Sequence, residues 1–184
     1  FSFVGGGTQN TASGNYGSSV IGGYNNTASG CRSTISGGTT NTASGNCSFV
    51  GGGCTVTATQ IYATAVGGLN NSAGDQFAFV GGGKNNTSSG YATTVTGGQS
   101  NTANAVRAFV GGGYGNSATA NASTISGGYS NTSSNAFSSF IDSPDSTYGT
   151  GSDGTVTISA NTTLTSDKFY YNLTVDSNVV LNTA

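Results

Sequence analysis

The chain has 184 residues, of which only 5% are charged and 34% hydrophobic, and its formal net charge is −2. There is no His, which excludes His-based triads, His-ligated metals and the usual general base. The four cations, Arg32, Lys84, Arg107 and Lys168, are scattered, so no basic patch for nucleic acid exists. No apolar run approaches the length of a membrane span, so no membrane insertion is expected.

From residue 1 to 141 one sentence is repeated. Asn-Thr-Ala-Ser-Gly at Asn26 begins again at Asn41, and the Gly-Gly pair that follows falls at Gly22, Gly37, Gly52, Gly67, Gly82, Gly97, Gly112 and Gly127. The offset is 15 residues, except that Gly6 precedes Gly22 by 16. A strict period of this length specifies stacked coils, in which each repeat is one supersecondary unit. Gly, Ser, Thr and Asn dominate, yet a flexible linker of that composition would need no register.

Each coil carries two short strands. Val20, Ile35, Val50 and Val80 stand two before the aligned Gly, and Ser18, Ser33, Ser48 and Ala78 stand four before it. Positions two apart face one way on a strand, so this is an inward face of one branched and one small residue per coil. Earlier in each coil, Ala28, Ala43 and Ala58 mark a second inward position. The Asn column at Asn26, Asn41, Asn71 and Asn86 either stacks as an amide ladder or only shapes the turn. The Gly pair turns one corner, because Gly accepts positive φ. A second corner lies near Gly14, Gly30, Gly45 and Gly90. Dense Gly and β-branched residues without a 3.6-residue stripe exclude helix.

A double period overlies the single one. Phe49, Phe79 and Phe109 alternate with Thr34, Thr64 and Thr94, and each Phe is followed two residues later by Gly, each Thr by something larger. Trading volume in this way is what a packed surface requires. The outer face of this strand is therefore expected to be buried against another chain or another layer, with Phe49, Phe79 and Phe109 as the contacts in a trimer. One branched residue and two small ones per coil bury little apolar surface, so self-association is the expected support.

The pattern stops at Phe140-Ile141, and Pro144 opens a junction over 142–154 rich in Asp, Ser and Gly. Beyond it, Val156 and Ile158, then Phe169, Tyr171, Leu173 and Val175, then Val179 and Leu181 alternate with polar residues. These read as strands of a second, short β element over 155–184, and the chain reads as a segment of a longer protein. The expected fold is thus all-β: a parallel β-solenoid or β-roll of 15-residue coils, nine to ten of them, followed by that element.

The sentence Asn-Thr-Ala-Ser-Gly-x-x-Ser-x-Val/Ile-x-Gly-Gly resembles the β-roll head of trimeric autotransporter adhesins and the Gly-Gly repeats of trimeric phage tail fibres. The stretch from Gly154 to Val175 looks like the entry to the β-helix of tail fibre and tailspike proteins. The adhesin repeats are one residue shorter than these. The resemblance implies a left-handed coil, a parallel homotrimer and a place on a virion surface or otherwise outside the cell. It implies a structural fibre segment that spaces and presents a tip to a host glycan or receptor. The head of a bacterial surface adhesin is the alternative.

A third reading is an ice-binding solenoid: Thr94-Val95-Thr96 suits a hydroxyl row, although Phe49, Phe79 and Phe109 interrupt that row on alternate coils. An enzyme is not expected, and neither is a cofactor. The six Asp do not converge as a glycosidase pair would. Asp142, Asp145 and Asp153 are candidates only for an oxygen-ligated Ca²⁺. Cys31 and Cys47 fall on neighbouring coils, one slot out of register, and are candidates for a disulfide. Tyr24, Tyr114 and Tyr129 share one corner slot, where they either stack on sugar faces or cover the edge of the roll. Specificity is expected to lie outside the repeats, which mainly space and stiffen.

Overall fold

Two-residue strands are all that a 15-residue coil with two glycine corners can hold, and the chain forms them in every coil. The computed structural model describes residues 1–140 and four later strands, Thr155–Ile158, Thr162–Leu164, Asn172–Val175 and Leu181–Thr183. The chain divides into two compact units, Phe1–Asp142 and Ser143–Ala184.

The first unit is a parallel β-solenoid. One face is a ten-stranded sheet and the opposing face a nine-stranded sheet, each strand pairing only with its equivalents one coil before and after. The register advances by one repeat per strand, as in Thr34↔Phe49, Phe49↔Thr64 and Phe79↔Thr94 on the first sheet. On the second it runs Thr27↔Thr42, Thr42↔Thr57 and Thr87↔Thr102. A third ladder of single bridges follows the glycine corner from Thr8 through Tyr24, Thr39, Cys54 and Leu69 to Tyr129. The extra residue of the first coil sits in the second corner, Asn15–Gly17, where Tyr16 and Gly17 have φ of 59° and 95°. Both sheets resume the common register one coil later.

The core is one side chain wide. Val20, Ile35, Val50, Val80, Val95, Val110 and Ile125 are fully buried from the first sheet, and Ala28, Ala43, Ala58, Ala73, Ala103 and Ala118 meet them from the second. Where the second sheet supplies Ser88 in place of Ala, the first supplies Thr93, and the two hydroxyls lie 2.6 Å apart. Polarity is thus matched across the core in this coil, whereas the buried hydroxyls of Ser48 and Ser123 find no partner among the described residues.

The Asn column does something neither sequence reading described. Asn86 is buried, and its Nδ2 donates to Gly82 O and Gly98 O, both at 2.8 Å. Its Oδ1 accepts the Asn101 N–H at 3.0 Å. Each side chain therefore clamps its own glycine corner to the next coil's and satisfies the next Asn backbone. Amide-to-amide bonds occur as well, Asn26 to Asn10 at 3.2 Å and Asn116 to Asn101 at 3.1 Å.

The second glycine of each pair is what the clamp requires. Gly38 has φ of 87°, and a Cβ there would lie 2.2 Å from Gly53 O and 2.6 Å from Asn41 Nδ2. The first glycine differs: a Cβ on Gly37 would meet nothing within 4 Å. The left-handed region is also filled by residues that rarely enter it. Thr40 and Thr55 on one corner have φ of 57° and 56°, and Tyr62 and Phe77 on the other have 59° and 57°. Each such residue costs about 1–2 kcal/mol, offset by ladder bonds such as Thr55 N–H to Thr39 O at 3.0 Å.

In the second unit, Thr155–Ile158 pairs in parallel with Asn172–Val175, and Thr162–Leu164 with Leu181–Thr183. The paired strands are further apart in sequence than those of the first unit. The junction at 142–154, and with it the Asp142, Asp145 and Asp153 cluster, lies outside the described residues, as do Phe169, Tyr171 and Val179.

Candidate functional site

Three surfaces of the solenoid carry the residues that the sequence singles out. The first is the outward face of the ten-stranded sheet. Phe49 is 37% exposed, Phe79 and Phe109 are half-buried, Val66 between Phe49 and Phe79 is 44% exposed, and Ile21, two coils before Phe49, is 54% exposed. The Phe–Gly alternation proves to have a cause inside one chain. A Cβ on Gly51, Gly81 or Gly111 would lie 3.3–3.4 Å from the Cε1 of the Phe two residues earlier. It would also lie 2.2–2.3 Å from the carbonyl of the following coil. Each ring therefore lies over its own glycine. The volume trade that suggested a partner chain is met within the coil, and what remains for a partner is the exposed strip of Phe, Val66 and Ile21.

The second surface is the glycine corner. Tyr114 and Tyr129 stack with centroids 5.1 Å apart and planes 7° from parallel. Tyr24 shares their slot but bridges Thr8 and Thr39, several coils away, so the structure brings together two of the three tyrosines. A second aromatic ladder, which the sequence reading passed over, runs along the other corner. Tyr62 and Phe77 stack at 5.3 Å, and Phe77 meets Tyr91 edge-on at 5.6 Å. Its signal was present: Tyr62 and Phe77 occupy the slot five before the aligned Gly in successive coils.

Near the same corner lie Cys31 and Cys47. The Cys47 N–H donates to Cys31 O at 2.7 Å, so the backbones touch, yet both thiols are free. The disulfide is not formed. The two residues occupy consecutive corner slots and only Cys47, at φ 56°, is left-handed. Cys54 is exposed and stacks between Thr39 and Leu69.

No protein-family model matches the chain, and no curated protein matches it either. The chemistry of these surfaces therefore has to speak for itself. Among the described residues, no three acidic, Cys or His side chains converge on a point, and no helix is long and apolar enough to cross a membrane.

The third surface corrects the hydroxyl-row expectation. Thr94 and Thr96 belong to the first sheet, whose row is interrupted by Phe, as read from the sequence. The uninterrupted row is on the nine-stranded sheet. From Thr11 to Thr132 the outward position is Thr in every coil except for Ser72 and Ser117. Two residues later a second column runs through Ser29, Ser44, Thr59 and Ser89, broken by Gly74 and Asn104. Within the chain Thr57 donates to Ser72 at 3.1 Å. The hydroxyls of Thr27, Thr42, Thr87 and Thr102 have no partner among the described residues.

Proposed function

We propose that this chain is a structural segment of an extracellular fibre of the phage tail fibre kind, holding a host-binding tip at a fixed distance. The observation that carries the reading is the unbroken register: ten strands of one sheet and nine of the other stack without a bulge. Each coil rises ~4.8 Å, and every coil bonds to the next through both sheets, with the Asn clamp added in every coil except that of Val56. Such a unit resists bending.

Self-association through the first sheet belongs to the proposal. A core one side chain wide buries little apolar surface for each ordered residue, while Phe49, Val66 and, two coils before Phe49, Ile21 leave a broken strip of apolar side chains in water. Strips of that kind mark contact surfaces. Three copies related by a parallel axis fit the resemblance to trimeric fibres. The test is the mass of the full chain in solution by light scattering or sedimentation. A trimer is expected. A monomer that nevertheless unfolds sharply on heating would overturn the self-association reading.

A further inference from the structure

We propose that the outward face of the nine-stranded sheet is an ice-binding surface. The role is independent of the fibre reading, because the two sheets face opposite ways and association through the Phe strip leaves this face free.

The argument rests on what kind of ligand can use such a face. Its groups repeat in two dimensions: ~4.8 Å from coil to coil and about 6.6 Å along the extended chain from the Thr column to the column two residues later. The register shows no slip anywhere along it, as in Thr42↔Thr57, Thr57↔Ser72 and Ser72↔Thr87. No group on it is individually distinctive. A receptor epitope or a soluble ligand is recognised by convergent, differing groups, and here one group recurs. Only a ligand that is itself a lattice gains from every repeat at once, and weak contacts then add through their number.

Three features fit that lattice to water. Thr presents a hydroxyl and a methyl from one branched carbon, and branching limits χ1, so hydroxyls in a column share an orientation at little entropic cost. Most of these hydroxyls are unspent within the chain: Thr27, Thr42, Thr87 and Thr102 have no internal partner among the described residues. Charge, which holds a disordered hydration shell, is absent from the face. The charged residues of the described solenoid, Arg32, Asp75, Lys84 and Arg107, all stand at corners.

The experiment is thermal hysteresis and ice-crystal shaping on the purified full chain, with folding checked by circular dichroism. Thr42→Tyr and Thr102→Tyr each raise a bulky ring from the array, and Gln99→Tyr, in the corner slot that Tyr24, Tyr114 and Tyr129 occupy in other coils, is the control away from both sheet faces. Measurable hysteresis is expected, reduced several-fold by either variant on the array and retained by the control. Absence of hysteresis and shaping in the folded chain overturns the proposal, and so does an equal loss in the control. Adsorption to crystalline cellulose without hysteresis assigns the face to a polysaccharide lattice and also overturns it.

Discussion

Val56 occupies the slot that Asn fills in the neighbouring coils, and replacing it should strengthen the fold. The Val56 N–H still donates to Asn41 Oδ1 at 2.8 Å, so the clamp reaches it from one side. On the other side the clamp fails: Asn71 has its own Nδ2 bonds to Gly67 O and Gly83 O, but its N–H finds no acceptor among the described residues. In Val56→Asn the new Nδ2 would reach Gly52 O and Gly68 O, and the new Oδ1 would accept the Asn71 N–H. The first two bonds contribute about 1 kcal/mol each, and satisfying the orphaned N–H about 2 kcal/mol. Against this, burying Asn in place of Val forfeits about 2 kcal/mol of apolar transfer. The net gain is ~2 kcal/mol, a rise in Tm of about 4–8 °C for a unit of this size. Thermal unfolding measures the gain, and amide exchange at Asn71 measures its cause. A Tm that falls, or one that rises with Asn71 exchange unchanged, would refute the clamp as the source of coil-to-coil stability.

The glycine pair offers a contrast within two residues: Gly38→Ala should destabilise the unit by ~3 kcal/mol or more, through strain and loss of the Asn41 clamp. Gly37→Ala should change stability by no more than about 0.5 kcal/mol, and urea denaturation of both variants checks the difference. Thr55→Gly should stabilise by ~1 kcal/mol, because a β-branched residue at φ 56° gives way to one that accepts it; a lower Tm would contradict the strain assigned there. Phe79→Asp should shift the chain to a smaller species on light scattering, whereas Tyr129→Ala on the corner should leave the mass unchanged.

The solenoid was legible because stacking leaves a periodic trace: Val20, Ile35 and Val50 recur in one slot, and their column in the structure is the column in the sequence. The causes behind particular residues were less legible. Phe49 and Gly51 vary together for a reason that lies in one coil, and covariation of volume does not say on which side of the surface the compensation happens. The Asn role needed coordinates, since an amide can bond its like or a backbone, and these bond chiefly backbone. Thr40, Thr55 and Tyr62 carry no signal of a left-handed backbone, because residue type alone predicts the opposite. The hydroxyl face was passed over for a plainer reason: Thr27, Thr42 and Thr57 lie between inward Asn and Ala, and a search led by hydrophobic alternation reads them only as the polar half of a strand.

The extra residue at Asn15–Gly17 shows how such a chain can change. It is absorbed in one corner, and neither sheet carries the error onward. A solenoid whose coils answer only to their neighbours has no fixed length: a coil duplicated or deleted between like glycines leaves the backbone ladders and the inward Val and Ala columns as they were. Reach then becomes a quantity that unequal exchange between near-identical repeats can alter in steps of one coil, without any new surface having to be invented.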